Sequence, residues 1–296
     1  MRDINDRFRG KPICLLALAV IGLLLPCNAY AADIFVPQDH ATIQEAIDAA
    51  QENDCIRVAD GTYTGDGNNS IDFKGKAITL RSENGPGNCI IDFEHVEGSG
   101  ISFVNDEGGA SILNGFSIIR APSSSRAAIY CENSSPAIID CNISRNSGAG
   151  MSCVMSSPAI TDCSIAANFY GITCLGQSSP VITGTSISMN YYYGAQFEDG
   201  CSPVLTDCVA QNNGNSGIRA IRSEIQISST RITNNGNNGI YFSDTPTAFI
   251  DDCDISGNRW AGVYCDSSSP EISKCMVSDN PGNAIACHNT SNPRIV

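Results

Sequence analysis

Large aromatic side chains stand at positions of the sequence where glycine, asparagine and serine otherwise predominate. The residues concerned, with one arginine among them, are Phe169, Tyr170, Tyr191, Tyr192, Tyr193, Arg259 and Trp260. A turn tolerates almost any polar residue, so rings at these positions indicate a role beyond turn formation. Tyrosine and tryptophan offer a sugar ring an apolar face and a polar group. We therefore predict that these residues bind carbohydrate, the alternative being that the rings pack over neighbouring turns.

Residues that often bind metals are present, but they form no metal-binding motif. The chain has 15 cysteines, none of them in a C-x-x-C pair, and its three histidines, His40, His95 and His288, are far apart in sequence. Structural zinc sites need ligands at short, regular spacing. We predict no metal site from these residues, and no catalytic residue can be identified from them.

The elements that must position the aromatic residues repeat about every 22 residues over 127–296. One series of positions holds cysteine or threonine: Cys141, Cys163, Thr185, Cys208, Thr230, Cys253 and Cys275. An asparagine follows each of them after five residues: Asn146, Asn168, Asn190, Asn213, Asn235, Asn258 and Asn280. A fixed period of this length is typical of stacked units that bury their apolar faces against one another.

Within each repeat, alternating apolar residues indicate three short strands and no helix. The position three residues before the Cys141 series is isoleucine or leucine in every repeat, whereas the positions beside it vary and are often polar. Such alternation is typical of strands with one buried face. We predict an all-β parallel β-helix of about 22 residues per coil. A leucine-rich repeat has a similar period, but leucine is scarce here.

Three further features of the repeat have simple structural interpretations. We interpret the asparagines as residues that adopt the left-handed conformation at turns, with side chains able to hydrogen-bond along the stack. A glycine series is interpreted as turn residues with positive φ: Gly150, Gly171, Gly194, Gly217, Gly239 and Gly262. The cysteines are expected to fill a narrow core as small apolar residues, mostly as thiols.

The first 31 residues have the organisation of a secretory signal peptide. Four cations, Arg2, Arg7, Arg9 and Lys11, precede an apolar run over 13–25, and small residues at Ala29 and Ala31 suit cleavage near Ala31. The run is too short for a membrane span. Lipidation at Cys27 is the alternative, although Pro26 stands where a small residue is expected. We predict a periplasmic, secreted or cell-surface protein that does not span the membrane.

Residues 32–296 are predicted to form a single β-helix domain. Thr42 and Glu45 form a capping box, and Ile43, Ala46 and Ile47 share one apolar face, so a short helix should cover the N-terminal end of the stack. We assign 32–52 to this cap, 53–126 to irregular first coils and 127–296 to regular repeats. The sequence stops at Val296 without a similar cap. We therefore expect either a longer parent protein or end-to-end self-association at the C-terminus.

Several segments resemble exported bacterial right-handed parallel β-helix repeat proteins of the pectin-lyase-like group. They are Val36-Pro37, the helix segment 42–50, Val58-Ala59-Asp60-Gly61-Thr62-Tyr63, the segment 75–82 and the Ser-Ser-Pro coils. The resemblance covers residues 32–296 and implies that the coils of the β-helix wind in a right-handed sense. It also implies a group of mixed function, with lyases, hydrolases, epimerases, phage tailspikes and proteins without a known reaction.

The resemblance implies two possible enzyme activities, and the sequence contains a complete catalytic motif for neither of them. In polygalacturonases, paired aspartates serve as acid and base. Asp251-Asp252 is only faintly similar, and no Gly-His-Gly is present. Pectate lyases need acidic Ca²⁺ ligands and a base, for which Asp140, Asp162 and Asp207 with Arg219 or Arg222 would serve. The alternative is that these aspartates form a solvated acidic row.

The net charge of −14 limits the classes of partner. So acidic a protein is not expected to bind nucleic acid or an anionic bilayer, and an anionic polysaccharide would need bridging Ca²⁺. We predict a non-catalytic protein that binds a polysaccharide or cell-surface glycan, preferably neutral, through rings aligned along the helix axis from Tyr170 and Tyr192 to Trp260. A carbohydrate-active enzyme, a polysaccharide lyase or glycoside hydrolase with an unrecognised active site, is the alternative.

Overall fold

The computed structural model describes residues 31–98, 100–124 and 126–296 as a three-sided parallel β-helix. The predicted signal peptide, with Cys27 and nearly all of its residues, lies outside the described residues. In the regular repeats, the asparagines of successive coils are 22 or 23 positions apart, whereas the first coils are longer, with Thr79 paired to Ile112. The predicted β-helix with a short N-terminal helix is confirmed. No helix in the described part of the chain is long and apolar enough to cross a membrane.

Each side of the β-helix is a parallel sheet, to which every coil contributes one short strand. Sheet 1 contains Asp33–Val36, Cys55–Val58, Thr79–Ser82, Ile112–Asn114, Ala137–Ile139, Ala159–Thr161, Val181–Thr183, Val204–Thr206, Ile225–Ser228, Ala248–Asp251, Glu271–Ser273 and Arg294–Ile295. Sheet 2 contains Gly61–Tyr63, Cys89–Asp92, Ser117–Ile119, Asn142–Ser144, Ser164–Ala166, Ser186–Ser188, Val209–Gln211, Arg231–Thr233, Asp254–Ser256 and Met276–Ser278. Sheet 3 contains Ser70–Asp72, Gly100–Phe103, Ile129–Glu132, Ala149–Val154, Tyr170–Leu175, Ala195–Glu198, Ile218–Ile221, Ile240–Ser243, Ala261–Asp266 and Asn283–His288.

The single described helix, α1 (Ile43–Ala49), packs against the first strands of sheets 1 and 3. The predicted capping box is present, since the Glu45 amide donates to Thr42 Oγ1 at 3.2 Å and the Thr42 amide donates to the Glu45 carboxylate at 3.3 Å. Ile43 and Ala46 are buried beneath the helix. The Lys76 ammonium donates to the Ile47 and Ala50 carbonyls, where a cation complements the helix C-terminus.

The chain bends sharply at three corners in each coil, and a residue in the left-handed conformation stands at each corner. Corner 1, between sheets 1 and 2, has Asp140, Asp162, Gly184, Asp207, Ser229, Asp252 and Lys274 in that conformation. Corner 2, between sheets 2 and 3, has Arg145, Ala167, Met189, Asn212, Asn234, Gly257 and Asp279. The left-handed residue of corner 2 therefore directly precedes the repeated asparagine, so the predicted left-handed conformation of the asparagines themselves is wrong.

The repeated asparagines instead form a buried hydrogen-bonded ladder. Asn213 is 1% exposed, donates to the Ile187 carbonyl at 3.0 Å and to Asn235 Oδ1 at 3.0 Å, and accepts from the Asn190 side chain at 2.9 Å. The predicted hydrogen bonding along the stack is confirmed. The ladder ties each corner to the coils before and after it.

The predicted positive φ of the repeated glycines is also wrong, because none of them lies in the left-handed region. They are needed for space. A Cβ on Gly194 would lie 2.4 Å from the Gly217 carbonyl oxygen and 2.7 Å from Asn213 Nδ2. Real Cβ atoms essentially never make such contacts, so glycine lets the backbone approach the asparagine ladder of the next coil.

The cysteines behave largely as predicted. Eleven of the 13 described cysteines are buried, while Cys275 is half-buried and Cys287 is exposed. Those at corner 1 also hydrogen-bond, since the Cys141 amide donates to Cys163 Sγ at 3.5 Å. Thiols at this position thus fill the core and satisfy backbone groups.

We expect Cys141, Cys163 and Cys208 to react slowly with a thiol reagent in the native protein and rapidly after denaturation. Their exposed fractions are 1%, 3% and 2%, and burial raises the pKa of Cys208 to about 11, so the reactive thiolate is scarce. Time-resolved labelling with peptide mapping measures the rates, with exposed Cys287 as the rapid control. Labelling of Cys141 as fast as Cys287 in the native state would contradict this assignment.

Candidate functional site

Corner 2 carries the aromatic residues that the sequence singled out, and the structure places them in two groups. Tyr170, Tyr191, Tyr192 and Tyr193 form one cluster with Phe169. Within it the Phe169 and Tyr191 rings stack with centroids 5.3 Å apart, and Tyr170 and Tyr193 stack at 6.3 Å. Tyr191 is the most exposed ring of the cluster, at 73%.

Arg259 and Trp260 form the second group, three coils further along the same corner. Both are exposed, Trp260 by 55%. Backbone hydrogen bonds place the residues of this corner in rows parallel to the axis: Tyr192 is followed by Asn215, then Asn237, then Trp260. At about 4.8 Å per coil, the two groups are roughly 14 Å apart along the axis. The predicted alignment along one edge is therefore present but interrupted.

The space between the two groups is a gap with a floor of small and polar residues: Gly214, Asn215, Gly236 and Asn237. We call it the corner gap. Glycine is required in this floor because the backbone of the preceding coil is too close for a side chain. A Cβ on Gly214 would lie 2.0 Å from the Tyr191 carbonyl oxygen. The side chain of Asn237 donates to Asn215 Oδ1 at 3.1 Å across the floor. The gap therefore has a polar amide floor with rings at both ends.

A second set of aromatic residues runs along the outer face of sheet 3, and sequence reasoning missed it. The Arg219 guanidinium lies 5.1 Å from the Tyr193 ring centroid and 5.9 Å from that of Tyr241. Tyr241 stacks on Tyr264 at 5.2 Å, and Tyr264 stacks on His288 at 4.8 Å. We call this set, which begins at Tyr193, the sheet 3 stripe.

The signal for the stripe was present in the sequence. Arg219, Tyr241 and Tyr264 each lie two residues after a repeated glycine, at the outward position of a strand whose neighbours point inward. Strict alternation would have placed them on one face. Because the rings stack face to face along the axis, the stripe turns ring edges rather than faces to solvent.

The stripe also contains a half-buried ion pair next to a perturbed phenol. The Arg219 guanidinium pairs with the Glu198 carboxylate on the neighbouring strand. Burial raises the pKa of Tyr193 to about 12, against the opposing effect of the Arg219 charge, so this phenol stays protonated near neutral pH. The Tyr193 hydroxyl can therefore donate a hydrogen bond but is not a ready base.

In the acidic row at corner 1, Asp140 and Asp162 occupy equivalent positions on adjacent coils. Burial raises the pKa of Asp140, with a further contribution from the neighbouring Asp162 carboxylate. Gly184 then interrupts the row, and a Cβ there would lie 2.3 Å from an Asp162 carboxylate oxygen. In the described ranges no group of three or more histidine, cysteine, aspartate or glutamate side chains could hold a metal ion. The expected Ca²⁺ site is therefore supported only by the resemblance to pectate lyases.

Comparisons with known proteins agree with this architecture. Residues 170–296 match the family model described as a right handed beta helix region. No curated protein sequence gives a significant match.

Solved structures give matches over most of the chain. The A-module of mannuronan C-5 epimerase AlgE4 from Azotobacter vinelandii is 15% identical, with a TM-score of 0.59 over 90% of this chain and 94% of that one. Pectate lyase Pel9A is 13% identical, with a TM-score of 0.59 over 88% and 78%. The periplasmic alginate epimerase AlgG, in a mutant form, is 12% identical, with a TM-score of 0.53 over 82% and 72%.

At this level of identity the likeness concerns the fold alone. The three parallel sheets define the β-helix architecture, and the matched family model gives its right-handed sense. The chain is a right-handed parallel β-helix protein with the pectin-lyase-like fold.

Proposed function

We propose that the protein is a non-catalytic polysaccharide-binding protein and that the glycan occupies the corner gap. The observation that carries this proposal is the exposure of Tyr191 and Trp260 at the two ends of a gap whose floor has almost no side-chain bulk. Contiguous exposed aromatic residues, such as Phe169 with Tyr191, are typical of interaction sites. Export to the periplasm or cell surface, where such glycans occur, is part of the same proposal.

The chemistry of the gap suits a sugar chain. Ring faces provide apolar contact for the C–H groups of a pyranose, while the Asn215 and Asn237 amides can exchange hydrogen bonds with hydroxyl groups. Tyr191 stacks on Phe169 on one side, and the next coil offers only Gly214 on the other. One face of Tyr191 is therefore left for a ligand.

The charge of the protein favours a neutral glycan over an anionic one. The net charge is −14, and Arg259 is the cation at the gap. An anionic polymer would be repelled unless a divalent cation bridged it. The similar structures are enzymes named for mannuronan, pectate and alginate, which are anionic, so they support a carbohydrate ligand in general.

Replacing Tyr191 and Trp260 together by alanine should abolish most glycan binding. We expect retention in native gels containing a neutral polysaccharide to weaken about tenfold or more, because each ring supplies roughly 1 kcal/mol or more of contact. Phe249→Ala is the matched control, since Phe249 is 46% exposed on sheet 1, away from the gap. Circular dichroism verifies that both proteins are folded. Equal retention of the double variant and the parent on every glycan would refute the assignment of the gap.

A carbohydrate-active enzyme is the second candidate, and the sheet 3 stripe favours it. Tyr193, Arg219 and Glu198 there combine a neutral phenol, a cation and a carboxylate on one outer face. Incubating the protein with a panel of polysaccharides, with and without Ca²⁺, separates the candidates when both retention and the absorbance of unsaturated products are followed. Product formation that Arg219→Ala abolishes would favour the enzyme, and retention without product would favour the binding protein.

A further inference from the structure

Two pairs of cysteines at corner 1 have matching geometry on different coils. Cys141 lies one coil before Cys163, and Cys253 lies one coil before Cys275. In each pair the two residues are direct neighbours on adjacent coils, since the Ser164 amide donates to the Cys141 carbonyl and the Met276 amide donates to the Cys253 carbonyl, both at 2.8 Å. Adjacent coils are about 4.8 Å apart, which is within the Cα separation that a disulfide spans. Both pairs could therefore be bridged with little movement of the backbone.

Access to solvent distinguishes the two pairs. Cys141 and Cys163 are 1% and 3% exposed, so a reagent reaches either thiol only slowly. Cys253 is 3% exposed, but its partner Cys275 is only half-buried. The hydrogen bond from Cys253 lowers the pKa of Cys275 to about 7, although partial burial opposes the shift. An accessible thiol next to a buried one is the arrangement that disulfide exchange requires.

We propose that Cys253 and Cys275 are a thiol oxidation site, at which exchange with a small disulfide such as oxidised glutathione forms a bond between the two coils. The Cys275 thiolate attacks one sulfur of the oxidant, which forms a mixed disulfide and releases one glutathione. The Cys253 thiolate then attacks Cys275 Sγ and releases the second glutathione. The protein dithiol is oxidised to a disulfide, the oxidant is reduced to two thiols, and the protons of Cys253 and Cys275 end on those thiols.

The position of this site links it to the corner gap. The segment closed by the disulfide runs from Cys253 to Cys275 and contains Arg259 and Trp260. Oxidation therefore ties the coil that carries Trp260 to the coil that follows it. Opening of either coil becomes less frequent, because a cross-link shortens the free chain in the opened state.

The test uses the full chain with Cys287→Ser, which removes the exposed thiol that could compete. The reduced protein is incubated with oxidised glutathione, quenched with N-ethylmaleimide, denatured, labelled again and mapped by mass spectrometry. We expect a linked peptide pair containing Cys253 and Cys275, formed at least about tenfold faster than any link between Cys141 and Cys163, because reaction requires an accessible thiolate. Hydrogen exchange of the backbone between Cys253 and Cys275 should slow in the oxidised form.

Two variants make the test specific. Cys253→Ser should stop at the mixed disulfide of Cys275 with glutathione, and Cys275→Ser should form neither product. The proposal is overturned if Cys275 in the Cys287→Ser protein stays unreacted, if it retains glutathione while Cys253 remains reduced, or if Cys141 and Cys163 become linked at a similar rate.

Discussion

Asn213→Ala is expected to lower the free energy of unfolding by about 3–5 kcal/mol, since each buried polar group left without a partner costs about 1–3 kcal/mol. The Asn213 side chain donates to the Ile187 carbonyl and to Asn235 Oδ1, and its own Oδ1 accepts from the Asn190 amide and from the Asn190 side chain. Alanine leaves the Ile187 carbonyl and the Asn190 amide buried without these partners. Urea unfolding followed by circular dichroism measures the change.

The matched control is Asn142→Ala, on the outward face of a sheet 2 strand. Asn142 is half-buried and stands four residues before the ladder residue Asn146, with Ser164 as its neighbour on the next coil. A surface change of this kind is expected to stay within about 0.5 kcal/mol. If the two variants lost similar amounts of stability, the ladder would have no special part in holding the coils together.

Gly194→Ala is expected to lower the free energy of unfolding by about 3 kcal/mol or more, or to prevent folding. Overpacking of a tight interior typically costs about 1–3 kcal/mol. The cost is at the upper end here because the clashing atom belongs to the backbone, which cannot move aside as a side chain can. The new Cβ would lie 2.4 Å from the Gly217 carbonyl oxygen. That oxygen also accepts the Ala195 amide at 2.9 Å, so moving it away breaks the pairing of two strands in sheet 3. Thermal and urea unfolding measure the loss.

Gly109→Ala provides the comparison for a glycine with room around it. No atom lies within 4 Å of the position that its Cβ would take, and its φ is not in the left-handed region. We expect stability to remain unchanged or to rise slightly, because alanine restricts the unfolded chain. Native stability in the Gly194→Ala protein would show that the coils can separate at this corner without loss of pairing.

The period and the burial pattern of the fold could be predicted from sequence because they are local and repeated. Ile138 and its equivalents are buried in sheet 1, as the alternation indicated, and the Thr42–Glu45 capping box forms at α1. Equivalent positions in successive coils have the same surroundings, so a single sequence shows the same pattern of buried and exposed residues several times.

The roles of asparagine and glycine at corner 2 could not be predicted in the same way. A pattern such as Arg145-Asn146 marks a bend, but it does not say which of the two residues takes the left-handed conformation. Gly194 is constrained by Gly217 on the following coil, which is a contact in space and not a local preference. The roles of the asparagines and of the glycines both depend on distances between neighbouring coils. The spacing of residues along the sequence does not contain these distances.

The aromatic residues at corner 2 could be identified from the sequence, but their arrangement in space could not. The aromatic residues were conspicuous against a background of small turn residues. That Tyr191 rather than Tyr192 is the exposed ring depends on how Phe169, Tyr170 and Tyr193 pack, which involves rings from two coils. The stripe through Arg219 and Tyr241 was missed because its members are unlike one another in chemical type.

The width of the corner gap can change only by the insertion or loss of a complete coil. One end carries Tyr191 and Tyr192 and the other, three coils further along, carries Arg259 and Trp260. Every coil between them is held by the same ladder and the same strand pairing. Duplication or loss of one 22- or 23-residue unit would move the ends by about 4.8 Å while leaving each contact within a coil intact. Intermediate widths would break the register of all three sheets. Under the proposed glycan binding, the distance between two sugar units held at the two ends could therefore change only in steps of one strand width, about 4.8 Å.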